Sequence, residues 1–402
     1  MSINAAGRIS RRTFVKVASG SAVSLAVAEA LTALGCTGKS NAPAKATSAA
    51  TQPSAPASAP QIATSTATTS RPAGTTGAAA ASKGLTVTFV AQQMSAESNQ
   101  RSLKGFQDYL KGKNLSWNVT VTDAKGDPGT LSNMVTDAAT RKVDAIVIAF
   151  GTLTAAQGAL KAVADAKIPL FTLDSGYYPP SICDIASNNY DIGGKMSEYM
   201  VQRLLAEGKT NANICTVIAN FHHGTRKRGK VLEAVLSENQ WIKSLDSRVI
   251  QYEGFFETTL NTVRDWLTRF GDKIDAIWCP WDEPATAAAQ AIVNSGRDVK
   301  SMFVVGADGH PPAVDQMRSN ANWPLVATVA QAFELWGAVA AYFIEQIVAA
   351  GKPARDVVPI PVIDLPSPLI VKGINLPEQG KMPWQATDLY DLIEKQAISS
   401  AG

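Results

Sequence analysis

From residue 85 onward the chain alternates short apolar runs rich in Val and Ile with longer segments in which apolar residues recur every three or four positions. The short runs predict strands buried on both faces, and the longer segments predict helices that cover them. In the segment 97–111, for example, Leu103, Phe106 and Leu110 share one helix face, while charged residues occupy the other. The strands predicted in this way are 85–90, 117–123, 143–150, 168–174, 214–219, 248–252, 274–279 and 302–306.

The predicted helices fill the intervals between these strands and divide the pattern into two similar halves. Alternating strands and helices of these lengths predict parallel sheets with helices on both faces. The fold class is therefore α/β, with two doubly wound parallel-sheet lobes. Ligands of such sheets bind beyond the carboxyl ends of the strands, so two facing sheets enclose a cleft. The predicted helices are 97–111, 129–141, 154–166, 191–207, 225–239, 257–270, 284–295 and 311–319.

Polar residues stand at the ends of several apolar runs. Asp174 ends a predicted strand, Asp282 and Asp308 stand shortly after two others, and Gln331 follows a further apolar run. Carboxylates accept hydrogen bonds from neighbouring hydroxyls, which suits a polyol ligand. Each aspartate could instead cap the helix that follows it. Their collection at one rim together with Trp281 favours a binding site, because an indole can stack on the apolar face of a sugar ring.

A basic segment, 222–229, opens one of the helices predicted in the second half. Such a cluster could bind a phosphate or a nucleic acid. We expect instead that Arg226 alone points into the cleft, and that Lys227 and Arg228 extend into solvent.

Length and charge narrow the choice of partners. The chain has 402 residues, of which 46% are hydrophobic, with 37 basic and 34 acidic side chains and a formal net charge of +3. This length suits two domains with additional segments. The near balance of charge gives no electrostatic reason to expect nucleic acid as a partner.

The sequence carries no pattern that requires catalysis or a metal. Its cysteines and histidines fit no zinc spacing, and neither a phosphate-binding glycine loop nor a serine-nucleophile elbow is found. Glu97, Asp174 and Asp308 could be read as paired acids, but no nucleophile accompanies them. We therefore predict no catalytic residue, no cofactor and no metal. The cysteines of the apolar runs are expected to be small buried side chains: Cys183, Cys215 and Cys279.

The first 36 residues resemble a twin-arginine export signal, with Arg11 and Arg12 ahead of a weakly apolar stretch. Residues 33–36 resemble a lipoprotein processing box, although Leu34 stands closer to the cysteine than is usual, and this predicts lipid attachment at Cys36. The alternative is an ordinary N-terminal helix with a chance arginine pair. Residues 37–84, nearly all Ala, Ser, Thr, Pro, Gly and Gln, predict a disordered linker to the membrane.

Several motifs resemble those of periplasmic sugar-binding proteins of the ribose- and galactose-binding type, the type I periplasmic binding proteins. The resemblance runs from about residue 85 to residue 372 and implies three crossings between lobes, near Ser187, Gln331 and Asp364. It implies a first lobe of 85–186 plus 332–362, a second lobe of 187–331 plus 363–380, and a tail of 381–402. The motifs are Phe171-Thr172-Leu173-Asp174, Ile185-Ala186-Ser187-Asn188-Asn189 followed by Gly193-Gly194-Lys195, Arg226-Lys227-Arg228-Gly229, Trp281-Asp282-Glu283, Val304-Val305-Gly306-Ala307-Asp308-Gly309 and Ala327-Thr328-Val329-Ala330-Gln331.

The same resemblance implies roles for individual side chains. Asp174 would accept hydrogen bonds from ligand hydroxyls in the first lobe. Arg226 would donate to ligand oxygens from the second lobe, where Phe256 would cover one ring face. Asp308 and Gln331 match positions that bond sugar hydroxyls.

Departures from the family pattern bear on the ligand. Trp281, beside Asp282, stands where the family usually has asparagine, and Ser175 stands where an arginine can occur. The early part of the first helix lacks the family's aromatic residues, so the first lobe would contact the ligand through polar groups. These changes argue against ribose itself and favour a larger or differently charged ligand, such as an amino sugar, an inositol-like polyol or a nucleoside. The polar groups of the first lobe are Gln92, Gln93, Glu97 and Asn99.

The predicted function is that of an exported, lipid-anchored, monomeric binding protein that lies in the periplasm or on the outer face of the cytoplasmic membrane. It would close by hinge bending around a sugar or polyol and deliver the ligand to the permease subunits of an ABC importer, without catalysis. One alternative is a sensor that presents the ligand to a chemoreceptor or membrane kinase. A transcription regulator is disfavoured by the export signal and by the lack of a helix-turn-helix before residue 85. An enzyme of the α/β class is the last alternative.

Overall fold

The computed structural model of the protein describes residues 84–296, 302–358 and 360–381. The predicted export signal, the lipid-attachment residue Cys36, nearly all of the predicted linker and all but the first residue of the predicted tail lie outside these residues. The strands are β1 Thr86–Ala91, β2 Asn118–Asp123, β3 Ala145–Ala149, β4 Leu170–Leu173, β5 Cys183–Ser187, β6 Ala212–Ala219, β7 Ile242–Ile250, β8 Ala276–Trp278, β9 Phe303–Asp308, β10 Leu325–Ala330, β11 Val362–Leu365 and β12 Leu369–Val371.

Ten α-helices connect or flank these strands within the described residues. Short 3₁₀ turns lie at Leu153–Ala155 and Gly271–Lys273, and a π-helical turn, Glu345–Ala349, follows the ninth helix. The helices are α1 Glu97–Gly112, α2 Pro128–Thr140, α3 Gln157–Ala166, α4 Asn189–Ala206, α5 His223–Glu238, α6 Phe255–Phe270, α7 Asp282–Asn294, α8 Pro311–Ser319, α9 Phe333–Ile344 and α10 Ala354–Val357.

The strands form two six-stranded sheets. The first has the order β11-β5-β4-β3-β1-β2, and all its neighbours are parallel. The second has the order β12-β10-β9-β8-β6-β7, and it is parallel except for the antiparallel edge strand β12. Helices cover both faces of each sheet, which leaves a strand such as β3 wholly buried. The predicted α/β fold class with two parallel-sheet lobes is confirmed.

The chain passes between the two sheets three times: after β5, after β10 and after β11. The third crossing lies later in the chain than the sequence analysis predicts. Val362 and Leu365 of β11 pair with Asp184 and Ser187 of β5, so residues 362–365 belong to the first sheet. The predicted transfer to the second lobe at residue 363 is therefore too early, because the parallel pairing holds the chain until Leu365. The residues that follow join the second sheet at Leu369.

Helices α1 and α9 pack closely on one face of the first sheet, and this fixes the start of α1 at the cleft. A Cβ at Gly105 would lie 1.8 Å from the carbonyl oxygen of Glu334, and a Cβ at Gly337 would lie 1.8 Å from that of Ser102. Only glycine permits such a backbone approach. Arg101 adds an ion pair to Glu334, with Nε 2.7 Å from Oε1.

Cys183, Cys215 and Cys279 are buried free thiols, as the apolar runs around them predict. Burial raises the pKa of each thiol above its usual range, which keeps the groups protonated and unreactive. None of the helices within the described ranges combines the length and the apolarity that crossing a bilayer requires.

Candidate ligand-binding cleft

A cavity lies between the carboxyl ends of the two sheets, and both lobes contribute to its walls. It contains about 620 Å³ of space not occupied by protein atoms, including the part open to solvent. Asp174 follows β4 of the first sheet and Asp308 ends β9 of the second, and both line the cavity. Trp281 and Gln331, also expected in the site, line it as well. The strand-end residues thus converge where open α/β sheets bind ligands.

Arg228, rather than Arg226, is the arginine of the cleft. Its side chain is buried, with Nη1 2.8 Å from the carbonyl oxygen of Pro280 and 3.3 Å from Oδ1 of Asp308, and with Nε 2.9 Å from Oδ1 of Asn189. Arg226 is exposed. The prediction that Arg226 points inward and Arg228 outward is wrong. The rotation of α5 about its axis determines which arginine is buried. Arg228 lies on the same buried face as Thr225, three residues before it, and Leu232, four residues after it.

Asp308 is the polar centre of the cavity. It accepts a hydrogen bond from Nε2 of Gln331 at 2.6 Å in addition to its contact with Arg228. Burial raises its pKa, and the guanidinium of Arg228 acts in the opposite direction. The Oε1 atom of Gln331 is buried without a hydrogen-bond partner among the described residues. An acceptor in this state leaves room for a donor from a ligand.

Asp282 lies behind the cavity wall and does not line it. Its Oδ2 accepts hydrogen bonds from the backbone N–H of His310 at 2.8 Å and from Oγ1 of Thr328 at 2.9 Å. Burial and the nearby carboxyl of Asp308 raise its pKa to about 8. A Cβ at Gly306 would lie 2.5 Å from Asp282 Oδ1, so the strand leaves just enough space for this carboxyl. Asp282 therefore fastens the start of α8 to the sheet instead of contacting the ligand.

Asp174 joins the two lobes through its side chain and its backbone. Its φ of 42° lies in the left-handed region, and its Oδ1 accepts from Nδ2 of Asn189 at 2.9 Å. Its carbonyl oxygen lies 2.7 Å from Nε2 of His222 and 2.9 Å from Nε2 of His223. Since His222 and His223 belong to the second lobe, these contacts hold the cleft closed around the cavity.

Asp174, His222 and His223 could in principle offer ligand atoms to a metal ion, since those atoms lie within 4.8 Å of one another. The backbone N–H of Gly224 donates to Nδ1 of His222 at 3.2 Å, which places the ring proton on Nε2. Burial lowers the pKa of His222 to about 4, so the ring is neutral. A metal ion at Nε2 would require the ring proton to move to Nδ1. That nitrogen could then no longer accept the hydrogen bond from Gly224 that caps the helix. The geometry favours interlobe hydrogen bonds.

Aromatic rings from both lobes form the apolar part of the wall. Trp281 is 8% exposed and packs edge-on against Phe255, with ring centroids 5.1 Å apart. Phe255 lines the cavity, whereas Phe256, predicted to cover the ligand, does not line it; both rings pack against the core of the second lobe. On the opposite side Phe150 packs against Phe333, with centroids 5.9 Å apart. Ring faces on two sides suit the apolar C–H faces of a cyclic ligand.

The predicted polar groups of the first lobe serve the fold more than the cavity. Gln92 is buried and its Oε1 accepts from the backbone N–H of Thr152 at 3.3 Å. Ser175 Oγ accepts from the backbone N–H of Gly151 at 2.8 Å. Asn99 is fully buried, and both of its side-chain polar atoms are without a hydrogen-bond partner among the described residues. These three residues do not line the main cavity, nor does Gln93.

Glu97 reaches across the cleft rather than lining it. Its carboxylate contacts Nε2 of His310, which precedes α8 in the second lobe. Burial by itself would lower the pKa of His310, but the contact with Glu97 and the nearby carboxyls raise it above its usual value. A charged pair therefore connects the first residue of α1 to the opposite lobe.

A second cavity adjoins the first and shares Phe221 and His222 with it. It contains about 790 Å³, including its part open to solvent, and it is lined by hydroxyl and basic groups. Arg226 and Ser175, both expected in the binding site, line this second cavity.

Several lining residues escaped the sequence interpretation. Glu283 and Tyr252 line the second-lobe wall, and Phe150 lines that of the first lobe. Glu283 directly follows Trp281 and Asp282, and this place after a strand end is the signal by which the sequence marks it. Phe150 stands at the end of a predicted strand with a φ of 59°, but the sequence pattern does not reveal that conformation.

The chain resembles known binding proteins in sequence. A ribose import binding protein of Bacillus subtilis is 25% identical over 254 residues, which cover 63% of this chain and 78% of the relative. A xylitol-binding protein of Mycolicibacterium smegmatis is 25% identical over 223 residues, which cover 54% of this chain and 60% of the relative. The names of these relatives agree with the predicted class of function, a solute-binding protein for sugars or polyols.

Solved structures share the fold. An ABC transporter solute-binding protein from Agrobacterium vitis with bound allitol has a TM-score of 0.63 at 22% identity, covering 78% of this chain and 99% of that one. A Bacillus halodurans solute-binding protein with bound myo-inositol has a TM-score of 0.62 at 18% identity, covering 79% and 100%. The model of the periplasmic binding protein domain matches residues 87–353. Because this match spans well over half of the sequence, the chain belongs to the periplasmic binding protein family, as its motifs imply.

Proposed function

We propose that the protein captures a sugar or polyol in the main cavity and delivers it to the permease subunits of an ABC importer. The observation that carries the proposal is the combination of ring faces and hydrogen-bonding groups around one cavity between two lobes. The names of relatives and structural neighbours, which mention ribose, xylitol, allitol and myo-inositol, support the same ligand class. The ligand is released unchanged.

The polar groups of the cavity match the needs of a polyhydroxylated ring. Arg228 presents N–H donors, Asp308 presents carboxylate oxygens, and Gln331 presents an amide oxygen that has no other partner among the described residues. Vicinal hydroxyls both donate and accept, so they can satisfy all three groups at once. The ring of Trp281 supplies an apolar face beside them.

A thermal-shift screen tests this assignment. The purified protein without its first 83 residues is mixed with ribose, allose, xylitol, allitol and myo-inositol, since a ligand that binds only the folded state raises the melting temperature. At 100 times the dissociation constant the folded state gains about 2.7 kcal/mol, which raises the melting temperature by several degrees. Calorimetry on each hit then gives affinity and stoichiometry. If no sugar or polyol shifts the melting temperature at millimolar concentration, the proposed ligand class is wrong.

We further propose that residues 1–36 direct export and that Cys36 carries a lipid anchor, with residues 37–84 as a tether for a monomeric receptor. The Arg11-Arg12 pair and the cysteine at the end of the apolar stretch support this. Cys36→Ala should move the full-length protein from the membrane fraction to the soluble fraction. Retention of the variant in the membrane fraction would contradict the anchor without touching the ligand assignment.

A further inference from the structure

Carboxyl groups crowd the closed cleft, and most of them have a nearby partner that compensates their charge. Asp308 has Arg228, and Asp174 has Asn189 together with the ring of His223, whose Nε2 is 3.4 Å from Oδ1. The carboxylate of Glu97 contacts His310, and Asp282 accepts a backbone N–H and a hydroxyl. Asp308, Asp174 and Glu97 thus have partners within the protein, whereas Asp282, whose Oδ1 has none among the described residues, lies behind the cavity wall.

Glu283 differs from them. It lines the cavity, and among the described residues it forms no ion pair, although the positive charge of His310 is near enough to lower its pKa. Burial raises its pKa to about 7. The shift reflects the cost of holding a negative charge away from water, which the charge of His310 offsets only in part.

The walls next to Glu283 are aromatic. Tyr252, Phe255 and Trp281 line the same cavity, and Phe221 packs edge-on against Tyr252 with centroids 4.9 Å apart. Ring faces attract cations through the quadrupole of the π system, most strongly where water is excluded. A carboxylate set among such rings, without an ion pair of its own among the described residues, forms a site that attracts a positive charge.

We propose that the ligand of this cleft carries a protonated amino group, bound between the carboxylate of Glu283 and the rings of Tyr252, Phe255 and Trp281. This inference rests on the proposed function, because the rest of the ligand is the polyhydroxylated ring that Arg228, Asp308 and Gln331 bind. An ammonium group forms charge-assisted hydrogen bonds to a carboxylate, roughly twice as strong as neutral ones. An amino sugar or an aminopolyol combines both parts.

Matched ligands test the inference on the unmodified protein. Glucosamine and galactosamine are compared with glucose and galactose, and with the two N-acetyl derivatives, which keep an N–H donor but lose the charge. An amino derivative of inositol is compared with myo-inositol in the same way. We expect at least one protonated amine to bind ten-fold or more tightly than both its hydroxyl and its acetylated counterparts in calorimetry at pH 7.5.

The substitution Glu283→Gln isolates the charge, since an amide keeps the size of the side chain. The variant should lose the preference for the amine while it binds the neutral analogue as well as before. Glu257→Gln, at an exposed position on α6 of the same lobe, removes the same charge and should change neither affinity. Far-ultraviolet circular dichroism and the melting temperature report whether both variants fold.

The outcomes separate this inference from the proposed function. Neutral sugars or polyols that bind as tightly as their amino counterparts would overturn the amine and leave the proposed function standing. A preference that survives in Glu283→Gln would also overturn the role of Glu283. If neither the amines nor their neutral counterparts bind, the proposed ligand class of sugars and polyols is wrong. Should the variant fail to fold, the comparison of matched ligands on the unmodified protein still decides.

Discussion

The guanidinium of Arg228 lies 3.3 Å from the carboxylate of Asp308, and of this pair at the centre of the cleft Arg228 is buried and Asp308 is half-buried. Arg228 lies on helix α5, and Asp308 is the last residue of strand β9. Their contact therefore connects a helix to the edge of the sheet that it covers. Neither group could be buried alone at acceptable cost. Together they offer a ligand both donors and acceptors at one point.

Arg228→Ala should weaken ligand binding at least 30-fold, because truncating one partner of a buried, hydrogen-bonded charge pair costs about 2–5 kcal/mol. The melting temperature should fall as well, since the half-buried carboxylate of Asp308 loses its cation. Arg226→Ala is the matched control: it removes the same charge from the same helix at an exposed position, and its affinity should change less than about three-fold. Calorimetry with the best ligand of the screen measures both. A larger loss of affinity in Arg226→Ala than in Arg228→Ala would show that Arg226 is the arginine that binds the ligand.

Trp281→Phe should weaken binding about 2- to 12-fold, which corresponds to the 0.5–1.5 kcal/mol that specific aromatic contacts contribute beyond area. Phenylalanine is the better test than alanine, because Trp281 is 8% exposed and also packs against Phe255 and Phe221. Alanine would leave a cavity that costs about 3–5 kcal/mol of stability. Phe256→Leu, outside the cavity wall, should leave affinity unchanged. Equal losses for the two variants would show that the ring of Trp281 does not contact the ligand.

The sequence predicts the sheets well where strands are buried on both faces. Runs such as that of β3 consist of residues that only a covered strand can bury. The edge strand β7 is harder to recognise: it begins at Ile242, six residues before the predicted start, because its polar side chains face solvent and break the apolar pattern. The third crossing was misplaced for a related reason, since β11 is held by backbone pairing that the side-chain pattern does not report.

The residues of the candidate site also differ in how well the sequence predicts them. Asp174, Asp308 and Gln331 could be predicted because the strand-end rule depends only on topology. Whether Arg226 or Arg228 faces the cleft depends on how α5 is rotated about its axis relative to the sheet. The same holds for Phe255 and Phe256 on α6. In both helices the position of the first residue sets this rotation. Helix α5 begins at His223 and α6 at Phe255, where no strong capping signal marks the sequence. A shift of one residue turns a helical side chain by about 100°, which changes the side chains that face the cavity.

The stability of the ligand-free protein should depend on Asp282 between about pH 4 and pH 8. Burial and the nearby carboxyl of Asp308 raise its pKa from 3.8 to about 8, so the folded state holds a proton that the unfolded state releases. A raised carboxyl pKa therefore destabilises the fold as the pH rises through this window, by an amount on the order of a few kcal/mol. His310 acts in the same direction: its raised pKa stabilises the fold fully below about 6.5, and this contribution is lost as the pH rises through its folded pKa.

Asp282→Asn should remove most of this dependence. Its amide oxygen can accept from Thr328 and from the backbone of His310 as Oδ2 does, and the side chain carries no charge at any pH. Urea denaturation of the original protein and the variant at intervals from pH 4 to pH 9 gives the difference in unfolding free energy. That difference should shift in favour of the variant as the pH rises, and a difference that is constant with pH would contradict the assignment of a raised pKa to Asp282.

Gly337→Ala should destabilise the first lobe and weaken ligand binding. Its Cβ would lie 1.8 Å from the carbonyl oxygen of Ser102, so α1 and α9 would have to separate, at a cost of about 1–3 kcal/mol or more. Because α1 begins with Glu97, which contacts His310 across the cleft, the separation should also disturb the closed form. Gly158→Ala is the control: it lies in helix α3 with nothing within 4 Å of its Cβ, and it should stabilise the protein by about 0.5–1 kcal/mol. Chemical denaturation measures both free energies, and calorimetry measures whether Gly337→Ala loses affinity while Gly158→Ala keeps it. Equal stability in the two variants would mean that α1 and α9 can move apart without cost, and that their contact does not hold Glu97 at the cleft.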